Sequence, residues 1–237
     1  MKYTDAHCHI PPTDQSEPTV VGRICNATRE SEWQKLIKNA GAGNFVCIGI
    51  HPWHIETLRD GWQARLRDTL MANPHIMVGE VGLDKHYENM PLQIQTFTTQ
   101  LEIAAQFARP LHLHCVGAWD KILHILKEHL SALPPVILAH GFNGSPNLIQ
   151  KLAHEYNMYF SYHTPARASA KWVARISATP RDRLLTESDA FDTQSQIQIL
   201  RATVQKLATI LGDTPDELSA QIYTNFQRIT SYVRTID

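Results

Sequence analysis

The sequence predicts an α/β protein, a single (β/α)8 TIM barrel with its active site at the C-terminal ends of the strands. Three observations carry that expectation. Eight short apolar runs alternate with eight longer stretches of helical periodicity. No Pro/Ser/Gly-rich linker, charge block or internal repeat divides residues 1–237, which therefore read as one domain. Imidazole and carboxylate side chains recur at the ends of the apolar runs, and in a barrel all these ends open on one face. An open doubly wound sheet is the alternative, but no Gly-rich phosphate-binding turn follows the first run.

The elements follow in order. The expected strands are 2–9, 20–25, 45–50, 76–81, 111–115, 136–139, 156–162 and 184–187, all but the first rich in Val, Ile, Leu or aromatic residues. The expected helices are 31–40, 57–72, 92–108, 119–130, 147–154, 167–176, 194–211 and 216–228. Pro91 suits the first turn of a helix, where a missing N–H leaves nothing unsatisfied. Pro110 and Pro134-Pro135 stop helices ahead of strands, and Asp213-Thr214-Pro215-Asp216 marks a helix entry.

Composition narrows the function. Lys and Arg total 22 against 23 Asp and Glu, so no bulk basic surface exists to hold nucleic acid, and a phosphorylated substrate needs local cations or metal ions. No window is apolar and long enough for a signal peptide or membrane span. The four cysteines form no CxxC pair, as expected of free thiols in a reducing cytoplasm. The 13 histidines are the unusual feature.

Residues two apart in a strand face the same way, so His7 and His9 aim two imidazoles at one point. Glu80, His114, His140 and Asp189 stand at or just beyond the ends of four other expected strands. Four histidines and two carboxylates gathered at one barrel mouth form a set of divalent-cation ligands, because such groups are costly there without partners.

The segments DAHCHI, GIHPW, GEVGLD, PLHLHC, LAHGFNGSP, TESDA and YTNFQRI resemble, in order and over nearly the whole chain, the motifs of the TatD-like metal-dependent hydrolases. The resemblance implies a two-metal barrel nuclease or phosphoesterase among the amidohydrolase-like barrels. By motif it assigns His7, His9, His114, His140 and Asp189 as metal ligands and Glu80 as the carboxylate shared by two ions, and it puts His51 near the substrate. Two departures stand out: Val116 occupies a position where family members often carry Arg, and Ala190-Phe191-Asp192-Thr193 runs straight into a helix where many relatives have a longer loop.

Lesser candidates surround this set. His112 reads as an interior partner one layer below His114, Glu187 as support for Asp189, and Asn225-Phe226 as structural. Lys85 and His163 are candidate substrate contacts, while Trp119 reads as a helix anchor with base stacking as its alternative.

The expected function is therefore a hydrolase with two divalent ions (Zn, Mn or Mg), cutting DNA or small phosphodiesters, with Glu80 and Asp189 catalytic and Asp189 the base. No membrane and no obligate protein partner are implied. A carbonyl hydrolase (amidase, esterase or lactonase) on the same barrel is the alternative, and a metal-stabilised binding module the second.

Overall fold

The computed structural model describes residues 1–10 and 18–233. Its eight strands are β1 (Tyr3–Cys8), β2 (Val20–Asn26), β3 (Asn44–Ile48), β4 (Met77–Asp84), β5 (Leu111–Val116), β6 (Ile137–Ala139), β7 (Met158–Tyr162) and β8 (Leu184–Thr186). Each pairs in parallel with its successor, giving one sheet in chain order. The helices are α1 (Trp33–Lys38), α2 (Trp62–Ala72), α3 (Met90–Gln106), α4 (Trp119–Glu128), α5 (Pro146–Glu155), α6 (Ala170–Ala178), α7 (Thr193–Leu211) and α8 (Pro215–Thr230). This is the (β/α)8 barrel that the alternating pattern predicts.

Boundaries differ where local chemistry overrides periodicity. The segment expected as one helix over 57–72 splits into a 3-10 turn, Pro52–Thr57, and α2, because Gly61 enters the left-handed region (φ 76) and starts the helix afresh. Likewise β7 begins two residues later than expected, since Asn157 at φ 46 still belongs to the turn after α5. Strand β4 runs on to Asp84, three residues past its expected end. Gly82 explains the extension: a Cβ there would lie 1.8 Å from the His114 carbonyl oxygen, so glycine lets β4 and β5 approach closely. Glu80 therefore stands within β4 rather than at its end.

The barrel is joined between β8 and β1 by a buried clasp. Asp5, wholly inaccessible, accepts from Ser188 N (2.9 Å), Ser188 Oγ (2.5 Å), Gln196 Nε2 (2.7 Å) and His7 N (3.3 Å). Burial pushes its carboxyl up to about 6, against the pull of the Ser188 and Gln196 hydrogen bonds. Backbone bonds from Asp189 N to His7 O (3.0 Å) and from His9 N to Ala190 O (2.9 Å) extend the join to the mouth. One side chain thus fixes the spacing between the segments bearing His7 and His9 and the segment bearing Asp189.

Replacing Asp5 by Ala leaves several buried donors unpaired, at about 1–3 kcal/mol each. Asp5→Ala is expected to lower the thermal midpoint by about 6–12 °C, corresponding to roughly 3 kcal/mol in a chain of this size. Circular-dichroism melts check this, and a midpoint unchanged from the parent protein would show that the join does not depend on the clasp.

Candidate active site

Every side chain of the predicted ligand set reaches the same end of the barrel. His7 comes from β1 and His9 from the residue just beyond it, Glu80 from β4 and His114 from β5. His140 follows β6, and Asp189 follows β8 in a left-handed backbone conformation (φ 52) that Asp tolerates better than most residues.

The two oxygens of Glu80 divide the site. Oε2 lies 3.4 Å from His7 Nε2 and 3.5 Å from His9 Nε2. Those nitrogens are 3.3 Å apart, and Asp189 Oδ1 completes the group at 3.8 and 3.4 Å from them. Ligand atoms about 2.0–2.2 Å from a tetrahedral zinc stand roughly 3.3–3.6 Å from one another, so this spacing accepts a small divalent ion. On the other side, Oε1 lies 2.8 Å from His114 Nδ1 and 2.8 Å from His140 Nε2, themselves 3.0 Å apart. His51 Nε2 approaches the same oxygen at 3.3 Å.

The far nitrogens of His9 and His51 separate a ligand from a donor. His9 Nδ1 meets the Asn26 carbonyl at 3.1 Å, so Nδ1 carries the proton and the Nε2 lone pair faces the cluster. His114 turns Nε2 toward Asp84 Oδ2 (3.5 Å), and His140 turns Nδ1 toward Glu187 Oε1 (3.8 Å), so a carboxylate faces the outer nitrogen of each ring. His51 is the reverse. Its Nδ1 accepts the Trp53 backbone N–H at 3.1 Å, so the neutral ring carries its proton on Nε2, the nitrogen facing Glu80. His51 is a hydrogen-bond donor there, although its position alone would admit it to the metal group.

Electrostatics follow from this packing. Burial raises the Glu80 carboxyl, but His140, His7, His51 and His114 outweigh it and hold the group well below the carboxylate range. Burial draws His51 down to about 4 against the pull of Glu80, so it is neutral at pH 7. His7 is lowered by burial and by the charge of His140. His140 alone is driven well above its ordinary value, burial being overcome by Glu80 and Glu187. Two buried carboxylates, Glu80 and Glu187, on either side of one imidazole make this a place where a cation belongs. Imidazole nitrogens with carboxylate oxygens suit zinc and admit manganese or magnesium.

The supporting residues fall where their chemistry puts them. Glu187, read from the sequence as support for Asp189, instead accepts from His163 Nδ1 (3.1 Å) and from the Ser161 hydroxyl and faces His140, because its wholly buried side chain points back toward β6 and β7. His163 is thereby pulled above its ordinary value, chiefly by that hydrogen bond. His112 is buried below the cluster, its ring stacked at 6.3 Å on His7. Lys85 lays its aliphatic stem over Gly117, at the rim beside β5. Trp119 is buried and donates to Asn143 Oδ1 (3.1 Å), the helix-anchoring role. Asn225 bonds the carbonyls of Arg181 and Leu184 and is structural. Sequence reasoning missed Asp84, which orients His114 and accepts the Trp53 indole N–H at 3.0 Å. Its signal was the even spacing from Glu80 along β4, which puts both carboxylates on one face.

Comparisons with known proteins agree with this geometry. Residues 4–231 match the family model of TatD related DNases. A 3'-5' ssDNA/RNA exonuclease TatD of Erwinia tasmaniensis is 28% identical over 232 residues, which cover 90% of this chain and 89% of that protein. A human 3'-5' RNA nuclease is 30% identical over 166 residues, 67% of this chain and 21% of that protein. The crystal structure of a TatD homolog from Escherichia coli K12 superposes with a TM-score of 0.83 at 25% identity, covering 96% of this chain and 97% of that one. The chain belongs to the family of TatD-related DNases, metal-dependent hydrolases on a TIM barrel.

Proposed function

We propose that the protein is a two-metal phosphodiesterase acting on short or single-stranded DNA. The observation that carries this reading is the division of Glu80: one oxygen faces His7 and His9, the other His114 and His140. The relatives named as single-strand and RNA exonucleases support the substrate class. Two divalent ions at such a site neutralise phosphate charge and acidify water.

The chain's own residues supply the rest. Asp189 directs Oδ1 at His9 and leaves its second oxygen to orient the attacking water and take its proton. Burial raises Asp189, but its bond to His9 and the charges of His7 and His140 hold it below its usual range, so it is ionised at neutral pH. His51 steadies Glu80 with its Nε2 proton beside the position of the phosphate. His163, held through Nδ1 by Glu187, stands at the rim beside the substrate, and Lys85 adds a diffuse positive charge. With Val116 ending β5 and α7 starting at Thr193, the long loop and the Arg of relatives are both missing, so few cations reach the substrate.

A panel on metal-loaded protein tests the reading: single-stranded DNA and aryl phosphodiesters against lactones and N-acyl amides. Turnover of the phosphodiesters is expected. Turnover confined to lactones or amides would establish carbonyl hydrolysis instead.

Two substitutions test the parts. Glu80→Ala is expected to lose more bound metal than His7→Ala, because Glu80 faces both groups, and full occupancy by elemental analysis in the Glu80 variant would remove its bridging role. Asp189→Asn is expected to lower kcat by about 10²–10⁴-fold with little change in KM, as for a positioned base. Near-normal turnover would place the base elsewhere.

Salt adds a further check. Each neutralised phosphate in a single strand contributes about −0.7 to the slope of log affinity against log salt. A shallow slope, no steeper than roughly two such contacts, is expected, with Lys85→Ala raising KM and leaving metal content intact. A steep slope on long DNA would reveal a basic track.

A further inference from the structure

A cleft of about 420 Å³ opens beside the metal cluster, with His9 in its wall. It is lined mainly by apolar surface, and two aromatic rings face into it, Phe191 and Trp53. Each ring has one face covered and is still largely open to solvent. Phe191 stacks on His9 (ring centres 4.9 Å apart, 17° between planes) and is 73% exposed. Trp53 stacks on Tyr87 (5.1 Å, 24°), is held by its indole N–H on Asp84, and is 48% exposed. Rings fixed in orientation and left bare in one cleft are platforms for a flat partner.

Cations lie in the same cleft. Arg29 uses Nε on Glu32 Oε1 (2.8 Å), and Glu32 is further engaged by the Thr28 N–H (2.8 Å) and hydroxyl (3.1 Å). The carboxylate is thus committed, and the two terminal nitrogens of Arg29 have no acceptor among the described residues. Lys35, from α1, is exposed and makes no ion pair among the described residues. An aromatic wall ending in two available cations next to a phosphate-cleaving centre matches a base followed by a backbone phosphate.

We propose that this cleft holds the nucleoside adjoining the scissile phosphate, its base on Phe191 and Trp53 and the next backbone phosphate at Arg29 and Lys35. The proposal deepens the phosphodiesterase reading and rests on it for the position of the scissile bond. The short loop after Asp189 is what makes the platform: it places Phe191 two residues past the proposed base, bare to solvent. A paired, stacked base in duplex cannot enter the cleft, so the cleft selects single strands or frayed ends.

Calorimetry on metal-free protein tests the cleft without catalysis, using deoxyadenosine 5'-monophosphate and deoxyribose 5-phosphate as probes. Stacking of one base on an aromatic ring corresponds to about 5- to 150-fold in affinity. The nucleotide is expected to bind at least about 5-fold tighter than the sugar phosphate. Phe191→Ala is expected to erase that difference and Phe191→Tyr to restore it, while the double variant Arg29→Ala, Lys35→Ala weakens both probes alike. Equal binding of the two probes, or a base preference untouched in Phe191→Ala, overturns the proposal. With metal-loaded protein, a trinucleotide abasic at the nucleoside next to the scissile bond is expected to show a raised KM, and Phe191→Ala to treat it and the intact trinucleotide alike. The two readings fail separately: lactone or amide turnover with base-dependent nucleotide binding removes the phosphodiesterase and keeps the cleft, whereas oligonucleotide turnover indifferent to the abasic position removes the cleft alone.

Discussion

The architecture of the mouth depends on one buried carboxylate facing several imidazoles. Glu80 is almost inaccessible and has nitrogen atoms of five histidines within 3.5 Å of its oxygens. An ionised carboxylate in that position is costly unless positive charge lies close to both oxygens. Protonating every ring would only replace one uncompensated charge by several. The outer contacts ease this, since the Asn26 carbonyl draws the His9 proton to Nδ1 and turns its lone pair inward, while Asp84 and Glu187 face the outer nitrogens of His114 and His140. A divalent ion then satisfies carboxylate and lone pairs together, which is why the donor set and its surroundings make sense only as a unit.

That unit draws on strands far apart in sequence, so it needs a closed sheet. The Asp5 clasp supplies the closure where β1 and β8 meet, and the same residue accepts from the backbone N–H of His7. Positioning and stability are therefore coupled through one side chain that touches no substrate. Gly82 does the same for the opposite pair, since any side chain there would push β5, and with it His114, away from β4. The catalytic residues are few, but their separation is set by such close contacts in the layer beneath.

Much of this was legible in the sequence because barrel topology converts order into place. Alternating runs fixed the fold class, and polar groups at strand ends fell at one mouth without any knowledge of contacts. Glu80 was placed at a strand end because the expected strand stopped at 81, whereas Gly79 and Gly82 serve close packing within a β4 that runs on to Asp84. The helix expected over 57–72 was drawn too long for the converse reason: its periodicity continues through Gly61, where the backbone does not. His51 illustrates a deeper limit. Its motif puts it near the substrate, but whether it gives a proton or a lone pair depends on the Trp53 N–H that its other nitrogen accepts, a contact created by the local turn.

The departures from the relatives' pattern acquire a common physical sense in this setting. A chain with nearly balanced charge cannot rely on a broad electrostatic field to gather a polyanion, so binding must come from short-range contacts. Val116 ends β5 without charge, and α7 starts at Thr193, close behind Asp189, leaving Phe191 bare. Stacking on a neutral ring is insensitive to salt and indifferent to base identity, whereas it fails for bases locked in duplex. In the reading proposed for the cleft, exchanging charge for stacking at the rim would make discrimination depend on the accessibility of a single base rather than on the amount of backbone phosphate.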